Sequence, residues 1–368
     1  MPFNPTLGNK KHTLPVAVDF SKPTSRNPFL QHLYDDLDSQ KRQISKINAG
    51  LFINVTDYGA KGDGTSDDTN AINSAITAAA AGKIIYFPAG TYLVSDELTI
   101  TSDYLSFLGD LGATLLRGGD DAIMRISGDR CNIENLRFDG NKDTEAVVNA
   151  ALIIDGSYNY CNRLEVFDST DHGINLDGQL TTCAFNSVMN CYIHDNDGVG
   201  IGQNTVTDSY IAFNDIFNNE LEGISIDVTA FRHQVIGNKI RANCQSASGV
   251  AGIALDNGSN AIIQGNTISD TQNSKPGLRT QDNTGNTRNS TITGNTFINN
   301  TGWGIHLFNG SGGDADFNIV LGNIFQGNTS GALLIDANID KTIVVANMFN
   351  GQTYTNNGTA TTAGNNVA

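Results

Sequence analysis

Five aspartates recur at one place in a repeated pattern, and they are the side chains best suited to chemistry. Short segments open with Gly or Ala and continue apolar, variable, apolar, and often Asp. Their first residues are Ala151, Gly173, Gly200, Gly223, Gly252, Gly277, Gly304 and Ala332. Counting each first residue as zero, the fourth position reads Asp155, Asp177, Asn204, Asp227, Asp256, Gln281, Phe308 and Asp336. The second reads Ile153, Asn175, Gly202, Ser225, Ala254, Arg279, His306 and Leu334, with Arg125 joining on a looser alignment.

Two carboxyls, one protonated and one ionised, are what glycoside hydrolysis requires, held about 5 Å apart for retention or about 6.5–9.5 Å for inversion. Asp227 and Asp256 belong to consecutive segments, and Asp177 lies two segments from Asp227. At roughly 4.8 Å per stacked strand both separations are available. Like charges this close also raise one pKa, which suits a general acid. Arg279 and His306 suit a second chemistry. A lyase takes the proton beside a uronate carboxylate, and needs a base and a cation or donor to neutralise that carboxylate. His306 as base with Arg279 as neutraliser, or Arg279 as base, both satisfy this. Calcium is compatible with an acid-rich groove because it takes several oxygen ligands.

The plainer readings stand beside these. Asp155-Gly, Asp177-Gly and Asp256-Asn-Gly precede turn residues, where Asp commonly bonds its own backbone. Asp227 is followed by Val-Thr, which is no turn signal. Asp155 and Asp336 are read as structural, His306 also suits a surface position, and Arg279 also suits a salt bridge. Around the catalytic set, Asn175, Asn204, Ser225, His172, Glu222, Arg232, Gln281 and Trp303 are the expected substrate contacts. Trp303 suits either sugar stacking or packing on a turn. Glu220 and His233 belong to the same neighbourhood, lining the groove or meeting another subunit. His194-Asp-Asn-Asp197 has a cation-like spacing but reads better as an Asx-type turn.

The elements that must position these residues are short strands. Alternation puts the first and third positions inward: Ile174 and Leu176, Ile224 and Ile226, Ile253 and Leu255, Ile305 and Leu307. The second and fourth positions then share an outer face. Segment starts recur about every 22–29 residues, the mark of a solenoid. No helical period lies inside the repeats, so a parallel β-helix of about ten rungs is expected, an all-β fold. A second column, Asn190, Asn214, Asn238, Asn266, Asn295, Asn323 and Asn347, suits stacked amides bonding along the coil. Cys131 and Cys161 are candidates for one buried column.

Residues 1–50 read as an extended arm and a helix. Asn27 is a good N-cap, Pro28 suits the first helical position and Gly50 a stop. Leu30, Leu33, Leu37, Ile44 and Ile47 make an a/d stripe, which fits either a helix lying on the body or a short coiled coil. Residues 51–350 form the body, with a small capping helix from about Asp68 to Ala80, and 351–368 a polar tail.

Composition limits the function. Of 368 residues 16% are charged, net charge is −16, and there are 39 glycines. A nucleic-acid binder would carry a basic surface. No apolar run is long enough for membrane insertion. The five cysteines show no CxxC, so neither zinc nor a thioredoxin motif is indicated. The N-terminus lacks the apolar core of a signal peptide, so the chain is expected either to stay inside the cell or to leave by another route, virion-associated or extracellular by a non-Sec path.

Tyr58–Asp68, the helix after it, and Tyr86-Phe-Pro-Ala-Gly-Thr-Tyr92 resemble the N-terminal cap of the pectate-lyase-like right-handed parallel β-helix superfamily. The repeats resemble its coil, and the resemblance covers roughly 52–350. It implies a polysaccharide-acting enzyme among lyases, glycoside hydrolases, mannuronan C5-epimerases and phage tailspike depolymerases. A helical stalk on such a body resembles a tailspike, which implies a homotrimer acting on a bacterial surface or capsular glycan. A glycan-binding fibre without catalysis is the alternative of another class. His172-Gly-Ile-Asn-Leu-Asp177 lies where epimerases carry Tyr-Gly-Phe-Asp-Pro-His, so His172, Asn175 and Asp177 replace all three acid–base residues. These replacements count against epimerisation, and the acid-rich groove puts hydrolysis before elimination, with no required cofactor and calcium as an option.

Overall fold

The computed structural model describes residues 50–367 apart from 145–147, 180–181, 228–229, 257–258, 282–286, 309–315, 338 and 360. The arm and the a/d helix expected within 1–50 lie outside the described residues. Residues 52–368 form one compact unit. Its strands pair in parallel throughout, in three sheets that the chain visits in turn. Among the described residues the first sheet has 13 strands and the second and third have 11 each. The expected solenoid of about ten turns is therefore present.

The helix spans Thr69–Ala78. Asp67 supports its start, accepting from the Thr69 N–H at 3.0 Å. Asp68, the residue before the helix, turns back to accept the N–H groups of Lys61 (2.7 Å) and Gly62 (3.0 Å).

Each turn of the coil has three corners, and from Arg130 onward a residue at each adopts positive φ, as at Arg232, Gly265 and Asp195. This reversal sends the next side chain inward. At the corner between the first and second sheets those inward residues include Asn214, Asn238, Asn266, Asn295, Asn323 and Asn347, all buried. Each donates its backbone N–H and its amide to the next Asn Oδ1, at 2.8–3.0 Å for Asn238 to Asn266. Asn190 does not belong to this column. It occupies the positive-φ corner, and Cys191 takes the inward place, donating its N–H to Asn214. A second ladder, at the corner between the second and third sheets, includes Asn196, Asn219, Asn243, Asn300 and Asn328.

The core fills the coil. Ile174, Leu176, Ile224, Ile226, Ile253, Leu255, Ile305 and Leu307 are fully buried, as alternation required. The glycine that opens each third-sheet strand has a steric cause. A Cβ on Gly200 would sit 2.6 Å from the Gly223 carbonyl oxygen, and one on Gly252 2.7 Å from that of Gly277. Cys161 pairs with Ile133, so it shares no column with Cys131, which donates its N–H to Asn159 at the corner. The expected polar tail is part of the coil, since Tyr354–Asn356 and Thr362–Gly364 extend the third and first sheets.

His233 does not line a groove. It follows corner residue Arg232 and lies fully inside the coil, its Nδ1 2.5 Å from Ser209 Oγ. Burial lowers its pKa from 6.5 to about 4. A base whose folded pKa is depressed contributes stability that is complete above the unfolded pKa and fades as pH falls through the folded one. The shift corresponds to about 3 kcal/mol lost between pH ~6.5 and ~4. Chemical unfolding at pH 7, 5.5 and 4 is expected to show this fall in the native protein and a shallower one in His233→Asn.

Candidate functional site

The outer face of the third sheet carries the site. Strand pairing aligns Arg125, Ile153, Asn175, Gly202, Ser225, Ala254, Arg279, His306 and Leu334 in one row. This is the expected second-position row without a slip. The fourth-position row is also ordered, with Asp177 beside Asn204, Asn204 beside Asp227, and Asp256 beside Gln281. Asp227 and Asp256 close the paired strands Ile224–Asp227 and Ile253–Asp256. The side chain of Gln281 lies outside the described residues.

In the middle of the face Gly202, Ser225 and Ala254 form a floor with little side chain. Asp227 stands at its edge, half-buried, and accepts the Ser225 hydroxyl at 2.7 Å. Burial pushes its carboxyl above the usual carboxylate range, against the opposing pull of Ser225 and His172. Glu222 is buried, accepts the Val250 N–H at 2.5 Å, and is pushed up by the same cause. A carboxyl that keeps its proton longer than usual is a general acid in waiting. His172 lies across this floor: a Cβ on Gly202 would be 2.8 Å from its Nε2 and 3.4 Å from Asn175 Oδ1. The His172 Nδ1 sits 2.7 Å from Asp171 Oδ1.

A second cluster follows toward the C-terminal rungs. The Arg279 guanidinium lies over the Phe308 ring at 3.9 Å. Its Nε is buried with no hydrogen-bond partner among the described residues. Burial lowers the Arg279 pKa, and the charges of Asp336 and Asp256 oppose this. His306 Nε2 is 3.1 Å from Asp336 Oδ1, and its ring meets Phe308 edge-on. Burial pushes the His306 imidazole down, opposed by Asp336 and reinforced by Arg279. The face thus separates an acid-rich middle from a cationic patch beyond it.

Other expected contacts lie elsewhere or are engaged. Arg232 sits at a corner off the face, in a two-pronged ion pair with Asp208 at 2.6 Å on each arm. Asp177 accepts the Gln179 N–H at 3.0 Å, which is the turn-forming role. Asn204 accepts the Thr205 hydroxyl. Asp155 pairs with Arg125 at 3.2 Å. Trp303 opens a third-sheet strand, and its ring covers Gly331 on the next rung, where a Cβ would be 2.5 Å from Cζ3. Around His194-Asp-Asn-Asp197 the cation is a lysine: Lys142 Nζ reaches Asp197 Oδ1 at 3.1 Å and the Asp195 carbonyl at 2.5 Å. Among the described residues no three His, Cys, Asp or Glu side chains converge to hold a metal ion, and no helix is long and apolar enough to cross a membrane.

Two site features escaped the sequence reading. Asp171 was not singled out, although its adjacency to His172 was a usable signal. Phe308 was placed in the outer row but given no role, and it is the ring that holds Arg279 flat.

The chain matches the family model described as rhamnogalacturonase A/epimerase, pectate lyase-like over residues 52–117, and that of the right-handed β-helix region over 232–367. It is 28% identical over 238 residues to mannuronan C5-epimerase AlgE3 of Azotobacter vinelandii, covering 56% of this chain and 12% of that protein. The chain therefore spans only a small part of that relative. Among solved structures, the AlgE4 A-module of the same organism superposes with a TM-score of 0.73 at 19% identity, covering 86% of this chain and 95% of that one. The active domain of bacteriophage CBA120 tailspike protein 2 gives 0.66 at 14% identity, covering 80% and 47%. With three all-parallel sheets wound into one coil, the protein has the fold of the right-handed parallel β-helices, and its cap and C-terminal coil are similar to the families that these two models describe.

Proposed function

We propose that the protein is a polysaccharide-cleaving enzyme that hydrolyses a bacterial surface glycan bound along the outer face of the third sheet. Asp227 supports this reading most directly. It is an acid held above its usual pKa by burial, at the edge of a floor made of Gly202, Ser225 and Ala254. In this role Asp227 donates its proton to the glycosidic oxygen as the bond breaks. A second group must activate water or attack the sugar, and Asp256 on the next rung is the candidate that the repeat pattern supplies. The similarity to a phage tailspike suggests a tail appendage, and with it a homotrimer.

The cationic patch favours a second reading, a uronate lyase or epimerase. Arg279 is a guanidinium with no ion pair among the described residues on a protein of net charge −16. The 28% identity to a mannuronan C5-epimerase points the same way. Against it, His172, Asn175 and Asp177 stand where the epimerases carry Tyr, Asp and His.

One experiment separates the readings. Capsular and cell-wall glycans, pectate and alginate are digested while reducing ends and the ultraviolet absorbance of unsaturated products are followed together, with and without chelator. Reducing ends without absorbance support hydrolysis. Absorbance rising with them transfers the chemistry to Arg279 and His306. Stable binding with no shortening identifies an adhesin.

A further inference from the structure

Asp171 and His172 form an oriented pair at the edge of the floor. An ionised carboxylate only accepts hydrogen bonds, so with Asp171 Oδ1 at 2.7 Å the His172 Nδ1 carries the proton. Nε2 then keeps its lone pair. It has no hydrogen-bond partner among the described residues and lies over Gly202. The absent side chain at 202 is what lets the ring cross from its own rung onto the next one. Three acidic groups act on this imidazole: Asp171 through the hydrogen bond, and Glu222 and Asp227 through their charges.

The acid and the imidazole face one floor. Strand pairing sets Ser225 beside Gly202, and the bond to Ser225 leans the Asp227 carboxyl toward the side of the floor that the His172 ring crosses. A sugar bound on that floor has both groups beside it. Asp256 is placed differently, with its charge acting on Arg279 on the following rung.

We propose that His172, held by Asp171 over Gly202, is the group that takes the proton from the attacking water, in place of Asp256. This rests on the hydrolytic reading. The water proton moves to Nε2 while the water oxygen bonds to the anomeric carbon. The glycosidic C–O bond breaks, and its oxygen takes the Asp227 proton. The imidazolium then returns a proton to the Asp227 carboxylate through solvent. No covalent sugar–enzyme bond forms, so the anomeric configuration inverts.

The test uses whichever glycan of the digestion panel the wild-type protein cleaves. His172→Ala is expected to lower kcat by ~100-fold with KM changed little, a typical loss for an acid–base group. Added imidazole is expected to restore part of that loss. Gly202→Ala, which leaves the dyad intact but pushes the ring off the floor, is expected to lose a similar factor. Proton NMR of fresh product is expected to show inversion, and nitrogen-15 spectra of the free protein an Nδ1–H imidazole. Thermal unfolding confirms that each variant folds. Wild-type cleavage with His172→Ala within threefold of it, a retained configuration, or an Nε2–H imidazole overturns the assignment while leaving hydrolysis standing. A wild type silent on the whole panel overturns the hydrolytic reading itself, and the water step with it.

Discussion

Asp227→Asn is expected to reduce cleavage by at least ~100-fold, the scale of a lost general acid, without weakening the fold. The amide keeps the size of the side chain and can still meet the Ser225 hydroxyl, but it has no proton to give at the needed pH. The alkaline limb of kcat/KM in the wild type should follow loss of the Asp227 proton and lie higher than an ordinary carboxyl would place it. Stability gives an independent check with a definite sign. The folded pKa of Asp227 lies above its unfolded value, so its stabilising contribution is complete only below the unfolded pKa. It is lost as pH rises through the folded pKa, and at neutral pH the buried charge costs stability. Asp227→Asn should therefore be as stable as the wild type at pH 7, or more so, with the difference vanishing in acid. A variant that loses activity and stability together would make Asp227 a structural residue.

The second large effect belongs to the asparagine column. Asn266 accepts the N–H and the amide of Asn238 and donates to Val235 and Asn295, all within 3.0 Å and all buried. Asn266→Ala removes one side chain but strands groups on several rungs. Each unsatisfied buried group costs about 1–3 kcal/mol, so a total of about 3–5 kcal/mol is expected. Asn190→Ala is the control, because Asn190 sits at an outer corner and its side chain, among the described residues, bonds only to Asn162. Guanidinium unfolding followed by circular dichroism compares them. An Asn266→Ala midpoint near that of the control would mean that the column is not a main support of the coil.

How much of this was legible in the sequence depends on distance from the strands. The outer row from Arg125 to Leu334 was readable because strand alternation is rigid and each third-sheet strand opens on a recognisable Gly or Ala. The first asparagine column was readable for a similar reason, and failed only at Asn190, where the corner itself is an asparagine. The second column was hidden. Its places also hold Ser169, Thr271 and Gln352, and its distance from the next strand varies from rung to rung. His233 was misplaced because the positive φ of Arg232 reverses the alternation just before it. The His172 ring over Gly202 was beyond reach of any one-rung reading, since its neighbour lies 30 residues away in sequence.

The corners also say where this protein is free to change. Between the first and second sheets the connection is two residues long on every rung from Glu134–Arg137 to Leu321–Ile324. One residue makes the left-handed bend and the next fills the amide column, so nothing can be inserted without breaking both. The other two connections run from four to twelve residues over the same rungs. Both of these border the third sheet. Descent with insertion is thus channelled to the two banks of the third sheet's outer face, while its floor and the winding beneath stay fixed. Under the proposed function, a lineage can trade one glycan for another by editing those banks rung by rung, without reopening the question of how the chain folds.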